Sequence, residues 1–370
     1  MSGSLLADLV SICGPGAARA GRPDDTATGL GADFVASPAT PRSVADLLHI
    51  AVERDLSVRP RGSGSKIRWG RHPRRVDLII DTGRLNGMWD HDGATAIVAA
   101  GTPVDAAQAA LRPHGRRLTL DPPSAGATVG GVLAMNESGP LRHRFGAPAG
   151  QALGVSLVDP AGRITETAEW EATTGEILTS ALLPLEDLPE AARWVVRPVS
   201  TPTEAGELVA QAVSRDFSLS GVEVDLPAAG SGTLALLLEG PADRVATSAA
   251  RLARQLGPRA IIQAEPPPWW GRYPFGDSDV VLRIRVRSRD LHAVGYTLRD
   301  AVGAPVPVRG SAVAGVVHAV LPRGLSAARI GDVVVALKQV LLGRGGRVVV
   351  LTAPPELAAQ MEMARPEELL

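Results

Sequence analysis

The stretch Arg59-Pro60-Arg61-Gly62-Ser63-Gly64-Ser65-Lys66 gathers cations, hydroxyls and glycines within eight residues. Glycines leave backbone N–H groups uncovered, and hydroxyl and cationic side chains can complete a shell around an anion, so the chemistry suits a diphosphate. The same composition also makes an ordinary flexible turn between strands. It is neither a Gly-Lys-Ser/Thr phosphate loop nor a Gly-x-Gly-x-x-Gly dinucleotide fingerprint. A second small-residue stretch runs from Asp121 to Gly139 and includes Thr128, Gly130, Gly131, Asn136 and Ser138. Its glycines permit close backbone approach to an extended ligand and its polar side chains offer hydrogen bonds, although tight helix packing reads the pattern equally well.

General acid–base chemistry on an anionic substrate needs a base and a cation to clamp the anion. The candidate bases are His318, His292 and His143, and the candidate clamps are Arg142, Arg144, Arg283 and Arg285. None is singled out by spacing, so the catalytic residues are not assigned. Arg283-Ile284-Arg285-Val286-Arg287 also reads as the solvated face of a strand. No two histidines have the spacing of a metal pair, and the single cysteine, Cys13, can build neither a disulfide nor a thiolate metal site, so no metal is expected. Trp269 and Trp270 follow three prolines and are read as packing over a domain junction.

The elements that must position these residues alternate strand and helix. Strands are expected at 34–36, 56–58, 76–80 and 95–99, with amphipathic helices at 41–54 and 104–111. The strand at 56–58 delivers the chain to the first loop. A hairpin is expected over 154–164 with its turn at Pro160 to Gly162. From Trp194 onward the order is β-α-β-β-α-β, recurring from Val280 to Leu351, so two ferredoxin-like units are predicted to join into one sheet with helices on one side.

At 370 residues the chain is long enough for two domains. With 38 Lys+Arg against 39 Asp+Glu, no global field draws nucleic acid or an anionic membrane, and the basic run with Arg68, Arg71, Arg74 and Arg75 is local. Aromatic residues at 3% leave few platforms for stacking bases, which also argues against nucleic acid. No apolar run approaches a membrane span and the N-terminus lacks a basic leader, so a cytoplasmic protein is expected.

Taken in order, Arg61 to Lys66, Leu85-Asn86-Gly87, Ala100-Gly101-Thr102-Pro103, Ala127 to Gly131, Asn136 to Pro140 with Arg142 and Phe145-Gly146, and Leu153-Gly154-Val155 resemble the FAD-binding domain of the p-cresol methylhydroxylase and vanillyl-alcohol oxidase family. Within it, the chain is most similar to the smaller FAD-binding subunit of bacterial glycolate oxidase. The resemblance implies an α+β protein: a segment at 1–30, a PCMH-type FAD-binding domain at 31–190, a ferredoxin-like (duplicated βαββαβ) cap or substrate domain at 191–355 and a tail at 356–370. It implies that Arg61, Gly62, Ser63, Gly64, Ser65 and Lys66 wrap the FAD diphosphate. Thr128, Gly130, Gly131, Asn136, Ser138 and Gly139 would line the flavin and ribityl chain, and Gly154 and Val155 would lie near the adenosine. Where covalent members carry a histidine, this chain has Gly64, so FAD is expected to be held non-covalently.

Two departures qualify the resemblance. The glycine-rich passage that helps enclose the isoalloxazine ring in similar subunits is replaced by Thr165 to Trp170, and the family's closing tail is absent after Pro355. The expected function is an FAD-dependent oxidoreductase acting on CH-OH groups, or the FAD-binding subunit of a glycolate oxidase-like complex. It would oxidise a small 2-hydroxy acid and pass electrons to a larger FAD-binding subunit and an iron–sulfur subunit. The alternative is a non-catalytic structural subunit with a degenerate flavin site in such a complex.

Overall fold

In the computed structural model, the structure describes residues 2–27, 30–71, 73, 75–89, 93–171, 175–214 and 217–369. The chain divides into two compact units, the first built from Met1–Glu137, Ala147–Leu188 and Arg365–Leu370, the second from Ser138–Gly146 and Pro189–Ala364.

The first unit holds two sheets. In one, strands lie in the order Ala18–Ala20, Phe34–Ala36, Leu78–Asp81, Val58–Arg61, the last three parallel. Helix Pro41–Glu53 connects Phe34–Ala36 to Val58–Arg61 and starts as its sequence dictates: Pro41 takes a position that needs no N–H donor, and Thr40 Oγ1 accepts from Ser43 N at 3.1 Å. Val44, Leu47, Leu48 and Ala51 form its buried stripe and meet Leu5, Leu9 and Cys13 of helix Ser2–Cys13 in one core. Leu78, Ile79 and Ile80 are buried on both faces of their strand, as a central parallel strand requires.

The other sheet is antiparallel, in the order Ile164–Thr167, Gly154–Val158, Ile177–Asp187, Thr95–Ala99, Met88–Trp89, with Arg116–Leu118 pairing the far end of Ile177–Asp187. The predicted hairpin is present. The strand Ile177–Asp187 was not foreseen, because Pro184 interrupts an otherwise alternating apolar pattern; here Pro184 still pairs with Thr95 in the ladder. Thr102 does not cap helix Val104–Leu111 through its side chain; its hydroxyl donates instead to Gly87 O at 3.0 Å.

The second unit is an eight-stranded antiparallel sheet whose order is Ile261–Gln263, Ala191–Val199, Gly232–Gly240, Leu219–Leu226, Val308–Ser311, Val316–Leu321, Val280–Arg285, Arg347–Thr352. Numbered within each β-α-β-β-α-β half, this is 4-1-3-2 followed by 2-3-1-4, so two ferredoxin-like units join through their second strands. Helices Pro202–Val213, Ala242–Leu256, Leu291–Val302 and Ala327–Leu342 bury their apolar stripes against one sheet face, where Leu234, Leu236, Leu282, Ile284, Val317 and Ala319 meet them. Strand alternation therefore sends Arg283, Arg285 and His318 to the opposite face.

Candidate functional site

The parallel strand Val58–Arg61 runs straight into the glycine loop. A side chain at Gly62 would strike the Thr128 hydroxyl, 66 positions on, so the two small-residue stretches are in contact through a position that admits no Cβ. Gly64 then turns the chain at φ +81°, in the left-handed region, and Ile67 N closes the bend on Gly64 O at 3.0 Å. The backbone N–H groups of Ser63, Gly64, Ser65 and Lys66 donate to no acceptor among the described residues. Successive N–H groups around a left-handed glycine form a concave anion site.

The two cations of the motif are committed elsewhere. Arg61 directs Nη2 to Asp81 at 2.7 Å and Nη1 to Asp25 at 3.0 Å; burial opposes its charge, but these carboxylates hold its guanidinium above the ordinary arginine range. Asp25, bonded first by Arg19 and then by Arg61, is held well below the usual carboxylate range. Lys66 Nζ lies 2.5 Å from Glu137 Oε2, with both side chains nearly inaccessible, and Glu137 Oε1 accepts from Ser124 N at 3.0 Å. Arg59 differs. It has no carboxylate partner among the described residues, donates only to Ile67 O at 3.3 Å, and burial alone pulls its guanidinium below the ordinary arginine range.

The second stretch acts as the floor. Thr128 Oγ1 caps Gly131 N at 3.3 Å, Val129 N donates to Thr102 O at 2.9 Å, and Gly130 N to Ala100 O at 2.8 Å. A Cβ on Gly130 would lie 2.7 Å from that of Ala100. The first N–H groups of helix Val129–Ala134 are thus already bonded, and this segment contributes close packing rather than open donors.

Together these residues line a groove of about 360 Å³ in the first unit. It brings together Arg61, Gly62, Ser63, Gly64, Ser65, Lys66, Thr128, Gly130 and Gly131 from the predicted set. The other five lie outside its lining. Asn136, at φ 47°, ends the helix and accepts from Ala149 N at 3.2 Å. Gly154 and Val155 sit in a sheet strand, with Val155 in the core. Ser138 and Gly139 belong to the second unit, where Ser138 Oγ accepts from Arg142 at 3.0 Å. Arg59, which the loop reading included but the residues implied by the resemblance did not, also lines it, and sequence reading missed Trp69, Glu176, Ile177, Leu178 and Leu369. The strand at 177 would have pointed to three of them. Arg71 also lines the groove, Arg75 pairs with Asp77 at 2.7 Å, and Arg74 lies outside the described residues.

In the second unit, His318 is buried opposite Arg283 in the strand register, with Tyr273 edge-on at 5.1 Å and Phe275 at 5.7 Å. Burial, and then the Arg283 charge, push its imidazole down to about 3, so it is neutral at physiological pH. Arg142 and Arg285 are close enough that, after burial, their mutual repulsion lowers the Arg142 guanidinium. Arg144 reaches Ser220 Oγ at 3.4 Å, and burial lowers His143. His292 lies on the helical side beside Tyr296, apart from His318. Trp270 packs edge-on to Trp194 at 6.2 Å on the sheet. Among the described residues, no group of three or more His, Cys, Asp or Glu is placed to hold a metal, and no helix is long and apolar enough to cross a membrane.

Residues 32–168 match the FAD binding domain family. An FAD-linked oxidoreductase of Mycobacterium tuberculosis, itself uncharacterized, is 32% identical over 154 residues, covering 40% of this chain and 34% of that protein. D-lactate dehydrogenase of Archaeoglobus fulgidus is 28% identical over 131 residues, 35% of this chain and 30% of that one. The chain therefore spans about a third of the length of these curated relatives. Among solved structures, p-cresol methylhydroxylase with substrate bound superposes with a TM-score of 0.72 at 12% identity, over 96% of this chain and 89% of that chain. The fold is the mixed α and β fold of the PCMH-type flavoproteins, and the cofactor of the matched domain is FAD. The groove fits it: a row of N–H groups without acceptors among the described residues, a glycine cradle that a Cβ would fill, and Arg59, which has no carboxylate partner among the described residues.

Proposed function

We propose that the chain is an FAD-dependent oxidoreductase, or the FAD-binding subunit of a glycolate oxidase-like complex, that oxidises a small 2-hydroxy acid and passes electrons to a partner. The observation that carries this reading is the contact of Gly62 with Thr128, which joins two distant stretches in one groove whose loop N–H groups, Ser63 to Lys66, have no acceptor among the described residues. The diphosphate of FAD, held non-covalently, would sit against those N–H groups with Arg59 supplying the charge. FAD supplies the two-electron acceptor for the oxidation. The D-lactate dehydrogenase relative supports a hydroxy-acid substrate. The neighbouring guanidiniums of Arg142 and Arg285 support a carboxylate clamp, because an anion between them would relieve their repulsion.

The second reading, a non-catalytic subunit with a reduced flavin site, is favoured by one observation. His318 and His143 are both depressed by burial, and a base held near pH 3 is a weak proton acceptor at neutral pH.

The two readings part on one experiment. The purified chain is precipitated with acid, and the released cofactor is identified by chromatography and mass. The native protein is then mixed anaerobically with glycolate, D-lactate or D-2-hydroxyglutarate. Release of FAD together with bleaching of its visible band supports the enzyme. FAD that no hydroxy acid bleaches, or a chain that takes up no FAD at all, refutes the enzyme and favours the structural subunit with a degenerate flavin site. The variant Gly62→Leu is expected to lose FAD, because its Cβ would strike the Thr128 hydroxyl where the loop meets the groove floor, and a melting temperature measured beside the FAD titration separates this loss from unfolding.

A further inference from the structure

The groove contains an acid that the phosphate-facing loop does not use. Glu176 lines it just before strand Ile177–Asp187, and its Oε2 is out of reach of solvent with no hydrogen-bond partner among the described residues. A carboxylate oxygen withdrawn from water without a donor is costly, and such atoms are matched in functioning sites by a ligand or an ordered water. Phosphate cannot be the match, since it brings acceptors and a second negative charge. Arg59 and the N–H groups of Ser63 to Lys66 line the same groove and attract what Glu176 repels. The lining therefore sorts an elongated nucleotide by chemistry: phosphate oxygens toward Arg59 and the loop, hydroxyl or amine hydrogens toward Glu176.

We propose that Glu176 accepts a hydrogen bond from a hydroxyl or amine of FAD and so fixes which way the dinucleotide lies in the groove. The inference rests on the FAD reading above. FAD carries such donors on both sides of its diphosphate, the ribityl hydroxyls and ring N–H on one and the ribose hydroxyls and adenine amine on the other. Glu176 is a positioning residue, so it changes binding rather than the chemical step.

Apo-protein is titrated calorimetrically with FAD, FMN and ADP in three forms: wild type, Glu176→Gln and Glu176→Ala. Wild type is expected to bind FAD. Glu176→Ala is expected to lose about tenfold or more for FAD and for one of the two half-ligands, with the other unchanged. Glu176→Gln, whose amide oxygen still accepts, is expected to lose less. A loss confined to ADP assigns the donor to the adenosine half, and one confined to FMN to the flavin half. FAD affinity unchanged in both variants, or equal losses for FMN and ADP with a lowered melting temperature, overturns the proposal. Failure of the wild type to take up FAD overturns the cofactor reading, and the proposal with it.

Discussion

Arg59 shows how a charge acquires its role from its neighbours. Three cations flank the glycines of the loop, yet Arg61 is divided between Asp25 and Asp81, and Lys66 is sealed against Glu137. Only Arg59 among the three enters the groove without an acidic partner among the described residues. Replacing it with Gln is expected to weaken both FAD and ADP by about tenfold, the scale of one charge-assisted contact of about 1.5–3 kcal/mol. It should also flatten the salt dependence of both ligands, because less counter-charge is exchanged. Unchanged affinities across salt, measured by flavin fluorescence and calorimetry, would remove Arg59 from the site. The sequence made the loop legible because glycine and serine spacing is local information. The division of labour among its cations was not legible, since Asp25, Asp81 and Glu137 lie 36, 20 and 71 positions from the residues they neutralise.

At the scale of elements, the buried Lys66–Glu137 pair ties the glycine loop to the segment that follows helix Val129–Ala134, and Ser124 N holds the far carboxylate oxygen. Removing one partner strands the other charge away from water. Lys66→Met is therefore expected to cost about 3–5 kcal/mol in chemical unfolding, whereas Lys66→Met with Glu137→Leu should recover most of that loss. A double variant no more stable than the single one would show that the pair is not the tie. Helix and strand placement followed the sequence closely wherever periodicity was uninterrupted, as in helix Pro41–Glu53 and both ferredoxin-like halves. It failed at Ile177–Asp187, where Pro184 hid a central strand and with it a wall of the groove. Asn136, Gly154 and Val155 lie outside the groove lining, at a helix end and in a sheet strand, positions that a spacing pattern alone does not separate from ligand contact.

For the whole molecule, His318 links stability to acidity. Its folded pKa is lowered to about 3, so between about pH 6.5 and 3 the unfolded chain binds a proton that the folded chain refuses. Stability at this position is full above about pH 6.5 and falls as pH falls, with a slope of up to about 1.4 kcal/mol per pH unit. Arg283 adjoins the imidazole, and Asp25, whose pKa is depressed, adds its own loss below about pH 4. Calorimetry from pH 7 to 4 is expected to show a shallower decline for His318→Leu than for wild type; identical slopes would contradict the assignment. The path of the chain carries a further consequence. The first unit draws on residues both before and after Pro189–Ala364, the stretch that supplies most of the second, and Leu369 lines the groove. A ribosome finishes the ferredoxin-like halves before it releases that last wall residue, so nascent chains should capture dinucleotide late, after the eight-stranded sheet has left the exit tunnel.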